Sequence, residues 1–385
     1  MTKLMDRKRC LIFVPCLLSL HLTLVIYSPD YSQWMNYHYK FLRTQLFDDP
    51  TEQTDEHIPE RCICEFESKN YSMCYSPPFN RSLIGQRFNC WYLKFLKEVD
   101  LLEPINLIDL TYDDFPDPPP IVTGASDDHK DESIEMISHV RRFWPKHPII
   151  FYDFGLKPST IKDFKKICNL EVRTFPFEKF PPYVKNMLEY RWKPLAMALV
   201  LKEFKSIWYM DSSIRWLKPE MYKYYDMLRC KHPKYRNAVS NCTKSEYLLM
   251  NGNYHGIYST TNFGTYDFLP TDKERLKEVT ELQAGFALIA RTKDAMDTLK
   301  WYALCALEKE CMAPKNSSIK CKFGKDMYHA EPTCHRFDQS IINLILTNKY
   351  NFTTSYYFSQ YTSAFAVRRS ATEKIDLTNL TNCER

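Results

Sequence analysis

Glycine is the residue this chain almost lacks. Eight are present in 385 residues, against a usual share of about 7%. Few positions are therefore free to take left-handed backbone or to bring main chain close against a ligand. The shortage removes function classes outright. Neither G-x-G-x-x-G nor G-x-x-x-x-G-K-[ST] occurs, which excludes a dinucleotide fingerprint and a P-loop. G-x-S-x-G is missing as well, against an ordinary α/β-hydrolase. Hydrophobic residues at 44% and aromatics at 15% are ample for a large core, so the chain is not disordered as a whole. The length leaves room for one domain of about 250 residues with appendages. Its 52 basic and 47 acidic side chains are well mixed, so no clustered basic footprint for nucleic acid is present.

The appendages begin with a membrane signal. Residues 1–10 carry Lys3, Arg7, Lys8 and Arg9 against Asp6, and Leu11–Tyr27 then runs without a charge. At 1.5 Å per residue that run covers about 25 Å, slightly short of a ~30 Å hydrocarbon core, which suits a thin early-secretory membrane. Cations before the span and none just after it predict a cytosolic N-terminus. The expectation is a type II signal-anchor at 11–27 in Golgi or ER membrane, with the remainder luminal. A cleaved signal peptide is the competing reading, but Val25-Ile26-Tyr27 offers no small-x-small cleavage site. Glycosylation sequons at Asn70, Asn80, Asn241, Asn316, Asn351 and Asn379, where chance gives about two or three, point to the same compartment. So do the cysteines. Of 14, twelve remain beyond Cys10 and Cys16, and an even number without C-x-x-C spacing reads as disulfides in preference to zinc. Spacing leaves the connectivity open.

Residues 28–60 read as a polar stem and 61–117 as a cysteine-rich region packing on the main domain. Pro118-Pro119-Pro120 closes that region, since consecutive prolines continue neither a helix nor a central strand. The pattern then alternates in the α/β manner. Strands are expected at 121–125, 148–153, 170–175, 206–210 and 285–290. Helices are expected at 132–144, 160–168, 194–204, with Pro194 at the first helical position, and 338–347. In open parallel sheets, ligands bind beyond the carboxyl ends of the strands. Three such ends are polar: Ser126-Asp127-Asp128-His129, Asp153-Phe154-Gly155 and Asp211-Ser212-Ser213. Taken singly, Ser126 or Asp153 also suits a helix cap or turn. Asp211, directly after a nearly all-apolar strand, is the strongest site candidate.

Tyr152-Asp153-Phe154-Gly155-Leu156, Trp192-Lys193-Pro194-Leu195, Trp208-Tyr209-Met210-Asp211-Ser212-Ser213, Gln283-Ala284-Gly285-Phe286 and Asp338-Gln339-Ser340 follow one another in an order that resembles GT-A glycosyltransferases. The resemblance is to a nematode-expanded family of uncharacterised type II membrane proteins with that fold. It covers 118–369 and leaves 370–385 as a C-terminal tail. It implies a mixed, mostly parallel sheet flanked by helices, a nucleotide-diphosphate sugar donor, and a glycan or glycoprotein acceptor. In GT-A enzymes an Asp-x-Asp holds a divalent cation that neutralises the departing diphosphate. Here Asp211 matches the first carboxylate and Ser213 stands in place of the second. Mn²⁺ or Mg²⁺ would then need another ligand, or a cation such as Lys193 or Arg191 would replace it. Lys193 otherwise reads as a solvated lysine near a helix start. The resemblance also implies nucleoside contacts from Thr123 and Ser126 and a base contact from Asp153. It implies a floor at Gly285 that lets a sugar approach closely, and catalytic roles for Asp211, Asp338 and Gln339. Asp338 equally suits a helix first turn. His329 and His335 are candidate late metal ligands, though lone histidines are more often structural. The alternative reading is a non-catalytic luminal binding protein that keeps the fold.

Overall fold

The computed structural model describes residues 58–116, 118–239 and 242–383. The expected cytosolic tail, the anchor at 11–27 and nearly all of the stem lie outside the described residues, as does Asn241. Among the described residues no helix is long and apolar enough to cross a membrane.

The described chain opens with a hairpin, β1 (Ile63–Phe66) and β2 (Lys69–Ser72), followed by a short helix, α1 (Leu93–Glu98). The α/β pattern then runs β3 (Ile121–Ala125), α2 (Lys130–Phe143), β4 (Ile149–Asp153), α3 (Pro158–Phe164), β5 (Leu170–Thr174), α4 (Trp192–Leu201) and β6 (Ser206–Met210). Next come β7 (Ile214–Trp216), α5 (Tyr222–Arg229), β8 (Tyr247–Gly256), α6 (Lys273–Leu276), β9 (Thr280–Ala290), α7 (Lys293–Leu307) and α8 (Lys309–Met312). The chain ends with α9 (Asp338–Lys349), β10 (Phe365–Val367) and α10 (Thr378–Thr381).

Six strands form one sheet in the order β5-β4-β3-β6-β9-β8. The pairings among β5, β4, β3 and β6 are parallel, while β9 runs antiparallel to both β6 and β8. The mixed sheet with helices on both faces agrees with the expected fold class. Its cause is visible in β6, where all five residues are buried, as expected of a strand covered on both sides. Alternation divides those residues between two cores. Ile207 and Tyr209 join Val122 and Leu249 on the face covered by α4, α7 and α9. Trp208 and Met210 join Ile121, Ala125 and Leu248 on the face covered by α2 and α5. The cysteine-rich region supplies Cys64, Phe88 and Phe95 to the first core.

All twelve cysteines from Cys62 onward are paired: Cys62–Cys74, Cys64–Cys90, Cys168–Cys383, Cys230–Cys242, Cys305–Cys311 and Cys321–Cys334. Five pairs are local. Cys168–Cys383 spans 215 residues and brings the stretch after 369, expected as a tail, onto α2. There the Thr372 amide and hydroxyl donate to Glu135 at 2.9 and 2.8 Å.

Several boundaries differ from the periodicity reading, each for a tertiary reason. α3 stops at Phe164 because the Cys168 amide is taken by the Leu380 carbonyl and its sulfur by Cys383. β9 begins five residues before Gly285, its polar start held by β8 through Asn251↔Gln283 and Gly256↔Thr280. α4 starts at Trp192, which makes Pro194 its third residue and not its first. No hydrogen bond is lost, since the first four amides of a helix have no partner within it. The consequence for Lys193 is large.

Candidate active site

Because β3, β4 and β6 are parallel, their carboxyl ends share one edge of the sheet. At the end of β6 the chain turns back into β7, with the Asp211 carbonyl accepting from the Ile214 amide at 3.1 Å and the Asp211 amide donating to Gly285 O at 2.7 Å. This turn lifts the Asp211 carboxylate into a cleft of about 120 Å³ that Lys193, Ser213, Gly285, Asp338 and Gln339 also line. Gly285 lines the cleft and also has a role within the fold. A Cβ there would overlap the Asp211 carboxylate, so the glycine makes room for that side chain on the floor of the cleft.

Lys193 organises the cleft. As the second residue of α4 it is 3% exposed, which corrects the expectation of a solvated lysine. Its Nζ lies 2.5 Å from Asp338 Oδ2 and 3.3 Å from Asp211 Oδ1. Burial opposes the ammonium charge, but Asp211 and Asp338 together outweigh it and hold the lysine above its ordinary range. Burial, with Asp211 adding to it, pushes the Asp338 carboxyl above its ordinary range against the pull of Lys193. Tyr209 OH donates to Asp211 Oδ1 at 2.7 Å. Asp338 opens α9 directly after Phe337, whose φ of 45° is costly for a bulky residue. The Phe337 ring is buried and meets the His335 ring edge-on at 5.2 Å, and this packing sets the angle at which Asp338 enters.

Gln339 is held from behind. Its Nε2 donates to Glu281 Oε2 at 2.6 Å, and His255 Nδ1 stands 3.3 Å from the same oxygen. Burial pushes the Glu281 carboxyl up to about 8, against Gln339, Arg336, Thr260 and Ser340, which lower it. A raised folded-state value means stability is fully present below about pH 4.5 and falls as pH rises toward about 8. Glu281→Gln keeps an acceptor for Gln339 and removes the titration. Melting curves from about pH 5 to about pH 8.5 should show the variant gaining on wild type as pH rises. A pH-independent difference would contradict the assignment.

The nucleoside-side candidates stand apart from this cleft. Thr123 is a buried mid-strand residue whose hydroxyl has no hydrogen-bond partner among the described residues. The Ser126 hydroxyl donates to Asp128. Asp153 accepts from the amides of Gly155 and Leu156 at 2.8 and 2.6 Å, a turn that Gly155 permits with φ +126°. Asp127, named from the sequence only within a polar strand end, anchors the start of α3 by accepting from the Lys157 amide and the Thr160 hydroxyl. None of Thr123, Ser126 and Asp153 lines the cleft.

The cations and histidines considered as metal substitutes or ligands also resolve. Arg191 is fully buried and donates to the carbonyls of Ala306, Glu308 and Lys309, so it is a structural clamp and not a cleft cation. His335 is buried with both ring nitrogens engaged, Nδ1 accepting from the Asn262 amide and Nε2 donating to Met312 O; burial lowers its pKa to about 4. His329 is half-exposed between Asp326 and Glu278 and does not line the cleft. A hard divalent cation takes about six oxygens. Here the two carboxylates already share an ammonium, and Ser213 adds only a hydroxyl. These residues do not fit a resident Mn²⁺ or Mg²⁺. Among the described residues one other group has ligand geometry, Glu135, His139 and Glu373, but Glu135 is committed to Arg215 and Thr372.

Sequence reasoning missed Glu281, Tyr190, Arg336 and Arg369, the last three of which line the cleft. Arg336 was within reach, two residues before Asp338. Arg369 carried no signal, because strand pairing alone delivers it.

The fold and cleft define a mixed α/β protein with a lysine–dicarboxylate cluster beyond the carboxyl end of a parallel strand. The sequence profile of a family described as "Protein of unknown function (DUF1647)" matches residues 61–198. No curated protein matches the chain by sequence. Among solved structures the chain is similar to a galactosyltransferase, LgtC, in complex with donor and acceptor sugar analogs, at 12% identity and a TM-score of 0.35, covering 69% of this chain and 92% of that one. It is similar to mouse xyloside xylosyltransferase 1 at 11% identity and a TM-score of 0.39, covering 66% and 99%. It is also similar to core-mannan synthase A from Aspergillus fumigatus in a Mn/GDP form, at 10% identity and a TM-score of 0.35, covering 54% and 68%. The chemistry of the cleft rests on its own residues.

Proposed function

We propose that the chain is a glycosyltransferase of the secretory pathway, held by the 11–27 span as a type II membrane protein of the Golgi or ER. It moves a sugar from a nucleotide-diphosphate donor to a hydroxyl of a glycan or glycoprotein. The observation that carries the reading is the Lys193–Asp211–Asp338 cluster: two carboxylates fixed by a buried ammonium where a parallel sheet presents ligands. Sugar hydroxyls are donors, and rigid carboxylates that accept from them orient the anomeric carbon without reorganising during the reaction. The bond from anomeric carbon to diphosphate oxygen breaks with its electron pair leaving on the diphosphate. The acceptor oxygen bonds to that carbon and releases a proton. Six disulfides, with the sequon residues Asn70, Asn80, Asn316, Asn351 and Asn379 all exposed, suit a luminal domain carrying N-linked glycans.

The test is release of nucleoside diphosphate from a panel of sugar nucleotides, with glycan acceptors, by the full chain. Asp211→Asn should lower turnover by about 100-fold or more, as loss of one preorganised polar group does elsewhere, while the protein still unfolds cooperatively at a lowered melting temperature, because Lys193 keeps Asp338 as a partner. Failure of every sugar nucleotide to bind would end this reading. Tight binding without turnover would instead favour the non-catalytic binding protein.

A further inference from the structure

We propose that a nucleoside diphosphate in this cleft is met by two arginines, Arg336 and Arg369, and by no divalent cation. This rests on the reading that the cleft takes a sugar nucleotide, and it says how that ligand's charge is balanced.

The first observation is the charge around the cleft. Its charged lining consists of Asp211 and Asp338 with Lys193, Arg336 and Arg369. Lys193 already serves both carboxylates, at 3.3 and 2.5 Å. Neither arginine guanidinium has an ion-pair partner among the described residues, although Arg336 is half-buried. Cations therefore outnumber carboxylates in a small cleft. A divalent cation entering it meets an ammonium where its ligands should be. A diphosphate meets two free guanidinium forks, the geometry best suited to bidentate phosphate contact.

The second observation is how the fold delivers these arginines. β10 pairs antiparallel with β7, with Val367 opposite Ile214, and the Arg368 amide donates to Ser213 O at 2.8 Å. The strand therefore runs out beside Ser213, and the residue after Arg368 is Arg369, which lines the cleft. Arg336 is fixed independently: its amide lies 3.1 Å from the Thr260 carbonyl and from the Ser340 hydroxyl. At this corner the cleft therefore presents a hydroxyl, from Ser213, and a guanidinium, from Arg369, in place of any further carboxylate. Glu281, the carboxyl packed behind Gln339, accepts from Gln339 and Ser340 and acts on Arg336 through space without an ion-pair contact.

Two measurements on the full chain test this. In the first, Mn²⁺ alone is titrated and followed by its free-ion paramagnetic signal. No saturable uptake dependent on Asp211 is expected, and a Mn²⁺ site present in wild type and lost in Asp211→Asn would overturn the proposal. In the second, binding of UDP, GDP and their sugar esters is measured by calorimetry in EDTA and again in Mn²⁺. Affinity is expected to match within about twofold between the two conditions. Arg369→Ala, an exposed position, and Arg336→Ala should each weaken binding by about tenfold or more, the ordinary effect of losing a hydrogen-bonded charge partner. Binding that requires Mn²⁺, or arginine variants that bind as wild type does, would overturn the arginine assignment and leave the transferase reading standing. No binding by any ligand in either condition would overturn both.

Discussion

Replacing Lys193 with methionine should lower the unfolding free energy by about 3–5 kcal/mol near pH 7.5, the usual cost of removing one partner from a buried ion pair. The wild-type lysine is 3% exposed, and the Asp338 side chain 2.5 Å away is 8% exposed. Removing the ammonium leaves Asp338 facing Asp211 with no cation in ion-pair contact with either, since Arg336 and Arg369 line the cleft without reaching them. Methionine fills much of the volume, so the loss reports charge more than a cavity. The pH dependence has a definite sign. Asp338 is already pushed above its ordinary range by burial and by Asp211. Without Lys193 it rises further, so its folded-state value lies above the unfolded one. A group raised in this way costs stability at high pH and releases that cost as pH falls. The deficit of the variant should therefore be largest above neutrality and shrink toward about pH 4. Urea unfolding at several pH values gives the answer. Wild-type stability near pH 7.5 would show that the ammonium does not hold the pair.

Opening the Cys168–Cys383 bridge should be the costliest change away from the cleft. The bridge closes a loop of 215 residues, for which chain entropy gives up to about 5 kcal/mol. What remains to hold residues 370–383 is the Thr372 bonds to Glu135, the Cys168 amide on Leu380 O, two long contacts of Glu373 with His139 and Arg142 at 3.9 Å, burial of Leu380, and partial burial of Ile375 and Leu377. Local fraying therefore competes with global unfolding and lowers the measured figure. The double variant Cys168→Ala/Cys383→Ala should lose at least about 2 kcal/mol in urea and be cut early between 370 and 383 by a nonspecific protease. Protease resistance equal to wild type would refute this account of the segment.

The strands that build the cleft were legible along the chain because their signal is local. Ile207–Met210 is an uninterrupted apolar run followed directly by Asp211, and a strand buried on both faces demands that composition. Ile121–Ala125 and Ile149–Asp153 read in the same way. The motif order placed Lys193, Asp211, Gly285, Asp338 and Gln339 together, and all five line one cleft. The presence of disulfides followed from an even cysteine count without zinc spacing. Thr123, Ser126 and Asp153 were placed by the same resemblance, yet their side chains serve the strand interior and local turns. A serine or aspartate after a strand has the same appearance whether it caps a turn or meets a ligand.

Tertiary structure decided everything that depends on two distant segments meeting. Lys193 turns inward only because α4 starts two residues before Pro194 and α9 brings Asp338 to it. Gly285 is required only because the turn after β6 folds Asp211 over it. Glu281 acquires its raised pKa from burial behind Gln339, and Arg369 arrives through the pairing of β10 with β7. Periodicity and residue chemistry act over a few neighbours and are written in the order of amino acids. Burial, charge balance and cross-strand register arise between segments up to more than a hundred residues apart, and no local pattern encodes them.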